Sequence, residues 1–361
     1  MLYHLLYPLK QVFFGFNLFR YITFRAAAAA VTALLVTFLI GPPIIRWLKR
    51  REFGERIRDD GPATHKAKEG TPTMGGLIVL LAVLVPVLLF GRLNNPYLLI
   101  MIGATVWMGC VGFLDDWLKV VKKVRKRLIG RYKLAGQIVW GLVVAFFVTW
   151  WDAYENAGWL IAVPFFKNFI INLEWFYIPL VVVVIAGTSN AVNLTDGLDG
   201  LAIGLTAVAT LAWAAISYVT GRVDFSGYLN VQYLKGAGEL TVYCAALIGA
   251  SLGFLWYNSH PASVFMGDTG ALALGGAMGT LAVLLKKEIL LLIIGGVFAA
   301  EAVSVILQVG SFKLRGKRIF KMAPIHHHFE LLGWPEEKVV TRYWIIGILL
   351  ALISIGTFKV R

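Results

Sequence analysis

The chain has 361 residues, 58% of them hydrophobic and only 15% charged, with a net charge of +14 at pH 7. Apolar segments close to the ~20 residues needed to cross a bilayer recur along it, which excludes an ordinary water-soluble globule and predicts an all-α, polytopic membrane bundle. Positive charge in such a chain marks cytoplasmic loops more often than a nucleic-acid surface. Cys110 and Cys244 both lie in apolar runs, where a thiol packs as a small hydrophobe, so disulfides are not expected.

In chain order, residues 1–20 come first as an apolar, aromatic segment (LLYPLKQVFFGFNLF at 5–19) broken by Pro8 and Lys10, as suits a stretch lying in the membrane interface. Arg20 and Arg25 precede the first long apolar run, so a cleaved signal is not predicted. Ten spans follow, near ~22–45, ~73–90, ~96–114, ~134–150, ~176–188, ~198–219, ~239–257, ~267–285, ~288–308 and ~342–358, and make residues 1–361 a single membrane domain. The fifth, FYIPLVVVVIAGT, is barely long enough. The ninth contains Gly295, Gly296 and Glu301, which predicts a bend or a break. Ten spans put both termini on one side. The loops opposite them hold most of the Lys and Arg, eight each in 46–72 and 115–133 and a further basic run in 309–341, so the termini are expected to be periplasmic and those loops cytoplasmic.

The unusual polar stretches all fall on that basic face: HKAKEGTPTMGG (65–76), FLDDWLK (113–119), NAVNLTDGLDG (190–200), WYNSHPASVFMGDTG (256–270) and KMAPIHHHFE (321–330). Asp115 and Asp116 are neighbours, and on a helix their side chains diverge by ~100°, so they are expected to do different jobs. Two carboxylates ~6 Å apart at an effective dielectric of ~20 repel by roughly 3 kcal/mol, enough to favour a cation between them or a proton on one. A solvated helix end is the plain alternative. Asp196 and Asp199, three apart, share a face if their segment is helical, with Asn190 and Asn193 beside them; capping of the next span is the competing role. Asp268, among glycines, reads equally as a helix cap or as a hard oxygen ligand for Mg²⁺.

Three successive histidines, His326, His327 and His328, diverge too much to share one metal ion, and no cysteine lies near them. Their place after Lys313, Arg315, Lys317, Arg318 and Lys321 fits recognition of an anionic ligand better. Lys68, Thr71 and Thr73 precede Gly75 and Gly76, where a helix N-terminus would offer amides to a phosphate; simple solvation of the lysine is the competing account.

Taken together, KEGTPTMGG, GFLDDWLK, NAVNLTDGLDGLA, WYNSHPASVFMGDTGALALGG and PIHHHFE resemble the polyprenyl-phosphate N-acetylhexosamine-1-phosphate transferase family over essentially the whole chain. PIHHHFE favours the branch that handles N-acetylmuramoyl-pentapeptide. The resemblance implies a Mg²⁺-dependent membrane enzyme that joins UDP-N-acetylmuramoyl-pentapeptide to undecaprenyl phosphate, releasing UMP and leaving lipid I on the cytoplasmic side of the bacterial inner membrane, and it implies a homodimer. It makes Asp268 the principal Mg²⁺ ligand with Asp116 positioning metal or substrate, and Asp115 a proton acceptor or aligning group for the lipid phosphate. It places Lys68, Thr73, Asn190, Asn193, Asp196, Asp199, Asn258 and Phe265 along the nucleotide, with Asp199 and Phe265 at uracil. Lys133, Gln308 and the histidines, His327 above all, would meet phosphates or sugar, and a bend at Gly295 and Gly296 would open a groove for the polyprenyl chain. A sister enzyme using UDP-N-acetylglucosamine, or a transporter built around Glu301, are the alternatives.

Overall fold

The computed structural model describes residues 1–51, 68, 70–120, 130–151, 154, 157–166 and 170–357. Before the first long helix come α1 (Leu2–Leu6) and two 3₁₀ turns, with Val12, Phe13 and Phe14 exposed. The long helices are α2 (Ile22–Arg50), α3 (Gly76–Phe90), α4 (Pro96–Val120), α5 (Gly130–Trp150), α6 (Tyr177–Thr195), α7 (Leu201–Thr220), α9 (Leu240–Asn258), α10 (Gly267–Leu284), α12 (Gly296–Arg315) and α14 (Glu336–Gly356). Shorter helices are α8 (Val223–Leu229), α11 (Glu288–Ile294) and α13 (Ile325–Glu330). A two-stranded antiparallel hairpin, β1 (Leu160–Ala162) with β2 (Ile170–Asn172), pairs Ile161 with Ile171.

Each of the ten expected spans has its helix. Among the described residues nine are long and apolar enough to cross a bilayer, while α3, at 15 residues, is shorter. The protein is therefore an all-α, multi-pass membrane protein. Several helices run a turn or more beyond the expected spans, and at three boundaries the structure shows the physical reason for the difference. The second span starts at Gly76 rather than near 73, because Pro72, Gly75 and Gly76 hydrogen-bond to the backbone of Phe265 and Met266. The fifth runs on to Thr195 although its last two turns are polar: the Asn190 amide donates to Ala186 O and the Thr195 hydroxyl to Ala191 O, so polar side chains satisfy the helix that carries them. The ninth breaks, as expected, at Gly295, and the piece long enough to span is α12, which continues to Arg315 and takes seven residues from the expected 309–341 loop.

Central in the bundle is α10, 89% of whose spanning window is buried, packed against α3, α4, α5 and α6. Its glycines allow this closeness: a Cβ at Gly275 would stand 2.6 Å from Ser189 of α6, and one at Gly279 2.9 Å from Ile185. The same four-residue spacing of small residues joins α9 to α2, with Gly249 against Ala30 and Gly253 against Thr37. Apolar helices gain little from leaving lipid, so close backbone approach supplies much of the attraction between them.

At the end of the bundle where α2 and α9 begin, Arg25 is wholly buried and forms a two-pronged pair with Glu239, Nη1 to Oε2 at 2.6 Å and Nη2 to Oε1 at 2.5 Å. Arg92 adds its backbone N–H to the same carboxylate. Removing one partner leaves a buried charge uncompensated. Glu239→Ala is therefore expected to destabilise the fold by about 3–5 kcal/mol, read as a lower unfolding midpoint in detergent, and Arg25→Met with Glu239→Leu to recover most of that loss.

Candidate active site

The opposite end of the bundle gathers the polar motifs. The helix α4 does not stop before Asp115 and Asp116 but carries both, fully buried, in its penultimate turn, so a solvated helix end is excluded. Their side chains part as the helical angle requires. Asp116 turns to the start of α10: Oδ2 accepts the Thr269 N–H at 2.8 Å and the Thr269 hydroxyl at 2.6 Å, and Oδ1 accepts the Asp268 N–H at 3.2 Å. Asp115 turns to Lys133, in the first turn of α5, with Oδ2 2.6 Å from Nζ. The same ammonium lies 2.5 Å from Asp268 Oδ2, and Asn193 of α6 donates to Asp268 Oδ1 at 2.6 Å.

One cation thus sits between two carboxylates. The arrangement depends on two glycines. At Gly112 a Cβ would run into the Asp268 carbonyl, and Gly267 has φ +73, with a Cβ there 2.8 Å from Asp116 Oδ2 and 3.0 Å from the Thr73 hydroxyl. Asp268 is the second residue of α10 rather than its cap.

A second corner forms around Lys68. Its ammonium lies 2.7 Å from Asp199 Oδ1 and 2.7 Å from Glu336 Oε1. Asp199 Oδ2 accepts the Ala262 N–H and faces His260 Nδ1, both at 3.1 Å. Asp196 and Asp199 do not share a helical face: α6 ends at Thr195, Asp196 is its half-buried C-cap, and Gly200, with φ +77, opens α7. Asn258 clamps this turn, accepting the Gly200 N–H at 3.1 Å and donating to Val264 O at 2.9 Å. Asp199, His260 and Glu336 bring donor atoms within 4.8 Å of one another, a spacing that could hold a metal ion, but the Lys68 ammonium already lies on both carboxylates.

The histidines form a third corner. His326 is fully buried, with Nδ1 3.1 Å from Glu301 Oε2. His327 pairs through Nδ1 with Glu330 at 2.7 Å, and the rings of His326 and His327 meet at 4.1 Å. His328 accepts the Lys321 N–H at 3.1 Å. Both of the first two rings rest on Gly197, where a Cβ would lie 3.0 Å from His326 Cε1 and 3.3 Å from His327 Nε2. The segment from Asn193 to Asp199 consequently touches all three corners.

Other expected contacts are taken up inside the protein. The Gly75 and Gly76 amides bind Phe265 O and Met266 O at 2.8 Å each, so they are not free for a phosphate. Gln308 accepts the Ile319 and Phe320 N–H groups and donates to Phe320 O, which holds the basic segment to α12. Asn190 is tied to Gln137 Oε1 at 2.8 Å. Thr73 is buried against Gly267, while the Phe265 side chain is half-buried with its backbone pinned at both N and O. Glu301, the intramembrane acid a transporter would use, is closed off beside His326 and Tyr343. Sequence reasoning missed Gln137, His260, Thr269 and Glu336. Only His260 and Thr269 lie in a stretch singled out beforehand, and Glu336 looks like any acid in a helix's first turn.

A cluster of buried polar side chains at one end of a multi-pass helical bundle, with carboxylates arranged around a cation, suits an integral membrane enzyme better than a channel. The model of glycosyl transferase family 4 matches residues 98–286, and the phospho-N-acetylmuramoyl-pentapeptide-transferase signature 1 matches residues 68–80. Proteins named phospho-N-acetylmuramoyl-pentapeptide-transferase are 54% identical in Thermodesulfovibrio yellowstonii and 53% identical in Gemmatimonas aurantiaca and Pelobacter propionicus, each pairing covering 100% of both chains. The chain belongs to glycosyl transferase family 4, in its phospho-N-acetylmuramoyl-pentapeptide-transferase branch, and is a phosphoglycosyl transferase.

The two glycines at the α4–α10 contact give a direct test. Gly267→Ala is expected to lower stability by about 1–2 kcal/mol through its left-handed backbone alone, and the added methyl must displace Asp116 from Thr269. An unfolding midpoint equal to that of the parent chain would contradict this account of the contact.

Proposed function

We propose that the protein transfers phospho-N-acetylmuramoyl-pentapeptide from its UDP-linked form to undecaprenyl phosphate, yielding lipid I and UMP for peptidoglycan synthesis. The observation that carries this reading is the pairing of Asp115 and Asp268 about one ammonium, with Asp116 held out of that pair by the start of α10. In the reaction a lipid phosphate oxygen forms a bond to the β-phosphorus of the nucleotide. The bond from that phosphorus to the bridging oxygen breaks, and UMP leaves with the electron pair. Such a transfer needs alignment and charge neutralisation more than covalent help from the protein.

The donor set suits Mg²⁺, being hard carboxylate oxygens that already gather a cation. Asp268 and Asp115 would hold the ion, and when bound it neutralises charge on the diphosphate and on departing UMP. Asp116, expected from sequence as a second ligand, has its oxygens directed at Thr269 and the Asp268 amide, so we assign it to orienting Asp268. Lys133 adds a positive charge that can pass from carboxylate to phosphate. Asp115 acts by alignment: a phosphate monoester with a second pKa near ~6 is already largely ionised at neutral pH, so little is gained from a base.

Lys68 and Asp199 would hydrogen-bond the uracil, with the half-buried Phe265 beside it. We assign His327, whose ring lies against Gly197, to the sugar or its phosphate. The basic residues that end α2 and α12, Lys49, Arg50, Lys313 and Arg315, lie at this end of the bundle, which supports a cytoplasmic site in a bacterial inner membrane. A homodimer is proposed from family membership.

In detergent with undecaprenyl phosphate and Mg²⁺, the protein is expected to release UMP from UDP-N-acetylmuramoyl-pentapeptide and to leave UDP-N-acetylglucosamine unused. Asp268→Asn is expected to lower UMP release on the order of a thousandfold, in line with losing a principal charge-stabilising group. Turnover of UDP-N-acetylglucosamine instead would shift the assignment to the sister activity, and an unimpaired Asp268→Asn variant would remove the site from the reaction.

A further inference from the structure

We propose that Glu336, in the first turn of α14, is a positioning residue that makes the Lys68 corner recognise a neutral polar ring and so fixes which way round the nucleotide binds. This inference rests on the assignment of that corner to the nucleoside. Glu336 is 9% exposed, and its Oε1 accepts from both Lys68 Nζ and the Asp199 backbone N–H at 2.7 Å each. Its Oε2 lies 3.5 Å from His260 Nδ1. One carboxylate therefore ties together the segment before α3, the turn between α6 and α7, the loop between α9 and α10, and α14. The links to Lys68 and to Asp199 span 268 and 137 residues of chain and reinforce the direct contacts of Asp199 with Lys68 and with Ala262.

The charge balance gives the tie a chemical consequence. The Lys68 ammonium meets two carboxylates, Asp199 and Glu336, so the corner carries no surplus positive charge to draw in a phosphate. An ammonium has three N–H groups; two are directed at these acids, leaving one for a ligand. What remains is a hydrogen-bonding surface of fixed geometry, suited to the carbonyl and imide groups of a pyrimidine. At the other corner Asp115 and Asp268 share one ammonium and Asp116 lies beside them on the Asp268 and Thr269 amides, so carboxylates outnumber the ammonium by two, and that excess of negative charge favours a divalent cation and, through it, a diphosphate. The two ends of the donor are thus distinguished by hydrogen bonding at one corner and by ion-mediated attraction at the other. Without Glu336, the Asp199 amide loses its acceptor and Lys68 keeps a single carboxylate, so the corner goes from net negative to neutral and repels phosphate less.

The test uses the full-length protein in detergent, with uridine and inorganic pyrophosphate as separate probes. Binding is followed by saturation-transfer NMR for uridine and by competition against UMP for pyrophosphate in the presence of Mg²⁺. Glu336→Ala is expected to weaken uridine at least about tenfold, as for loss of a charge-assisted contact, while pyrophosphate binds as well as before or better. Glu336→Gln keeps an acceptor for the Asp199 amide but drops the charge, and is expected to fall between Glu336→Ala and the parent chain. Unfolding midpoints of both variants show whether the chain is folded when probed. Uridine affinity unchanged in folded Glu336→Ala, or uridine and pyrophosphate weakening together, would overturn the proposal. A parent chain that binds uridine yet releases no UMP in the transfer assay would refute the proposed reaction, and the uridine-to-pyrophosphate ratio would still decide on Glu336. A parent chain that binds no uridine would end both.

Discussion

Everything at the polar end of the bundle depends on Asp116 taking donors from the first residues of α10. A carboxylate at a helix N-terminus meets unpaired N–H groups and the positive end of the helix dipole, a favourable place for a buried anion. Here it receives two N–H groups and a hydroxyl from Asp268 and Thr269. That joins the end of α4 to the start of α10 with no spacer, and so leaves Asp115, one residue earlier, and Asp268 within reach of the same lysine. Were Asp116 turned elsewhere, the pair around Lys133 would have no reason to form.

The three corners are built on different kinds of support. The Lys133 corner stands on helix ends packed against a buried central helix, which favours fixed distances between reacting groups. The Lys68 corner is assembled from turns and one helix start, linked by hydrogen bonds across large sequence separations. The histidine corner rests on α12 through Glu301 and Ser304, whose hydroxyl accepts the Ile325 N–H. The stretch from Asn193 to Asp199 spans all of them, donating to Asp268 at one end and meeting Lys68 at the other, with Gly197 flat against two imidazoles between. It carries no Lys or Arg of its own, and cations reach it from other elements: Lys68 meets Asp199, and Lys133 meets the Asp268 carboxylate that Asn193 holds.

Much of this is legible in the amino-acid sequence. Length and apolarity located each long apolar helix, nine of which among the described residues can cross a bilayer, and the glycine pair at 295–296 announced the break in the ninth expected span. The angular divergence of neighbours on a helix foretold that Asp115 and Asp116 would part. What escaped had a physical cause. Hydropathy treats Thr188, Asn190 and Thr195 as the end of a span, whereas those side chains bond back to their own helix and prolong it. Spacing could not show that the Gly75 and Gly76 amides are consumed by the backbone at Phe265 and Met266, because that contact joins residues far apart in sequence. Glu336 carried no signal at all: an acid after a proline at a helix start is ordinary, and only its three-dimensional neighbours make it otherwise.

The Arg25–Glu239 pair at the far end bears on how the molecule is made. The two residues are separated by 214 positions, so during synthesis the first long helix enters the bilayer well before its counter-ion exists. Until α9 arrives, the guanidinium must reach out along its own flexible stem to water and lipid headgroups, which its place in the first turn of α2 permits. Drawing it inward is then a late event that seals α2 and α9 side by side, so this ion pair records the order in which the bundle closes.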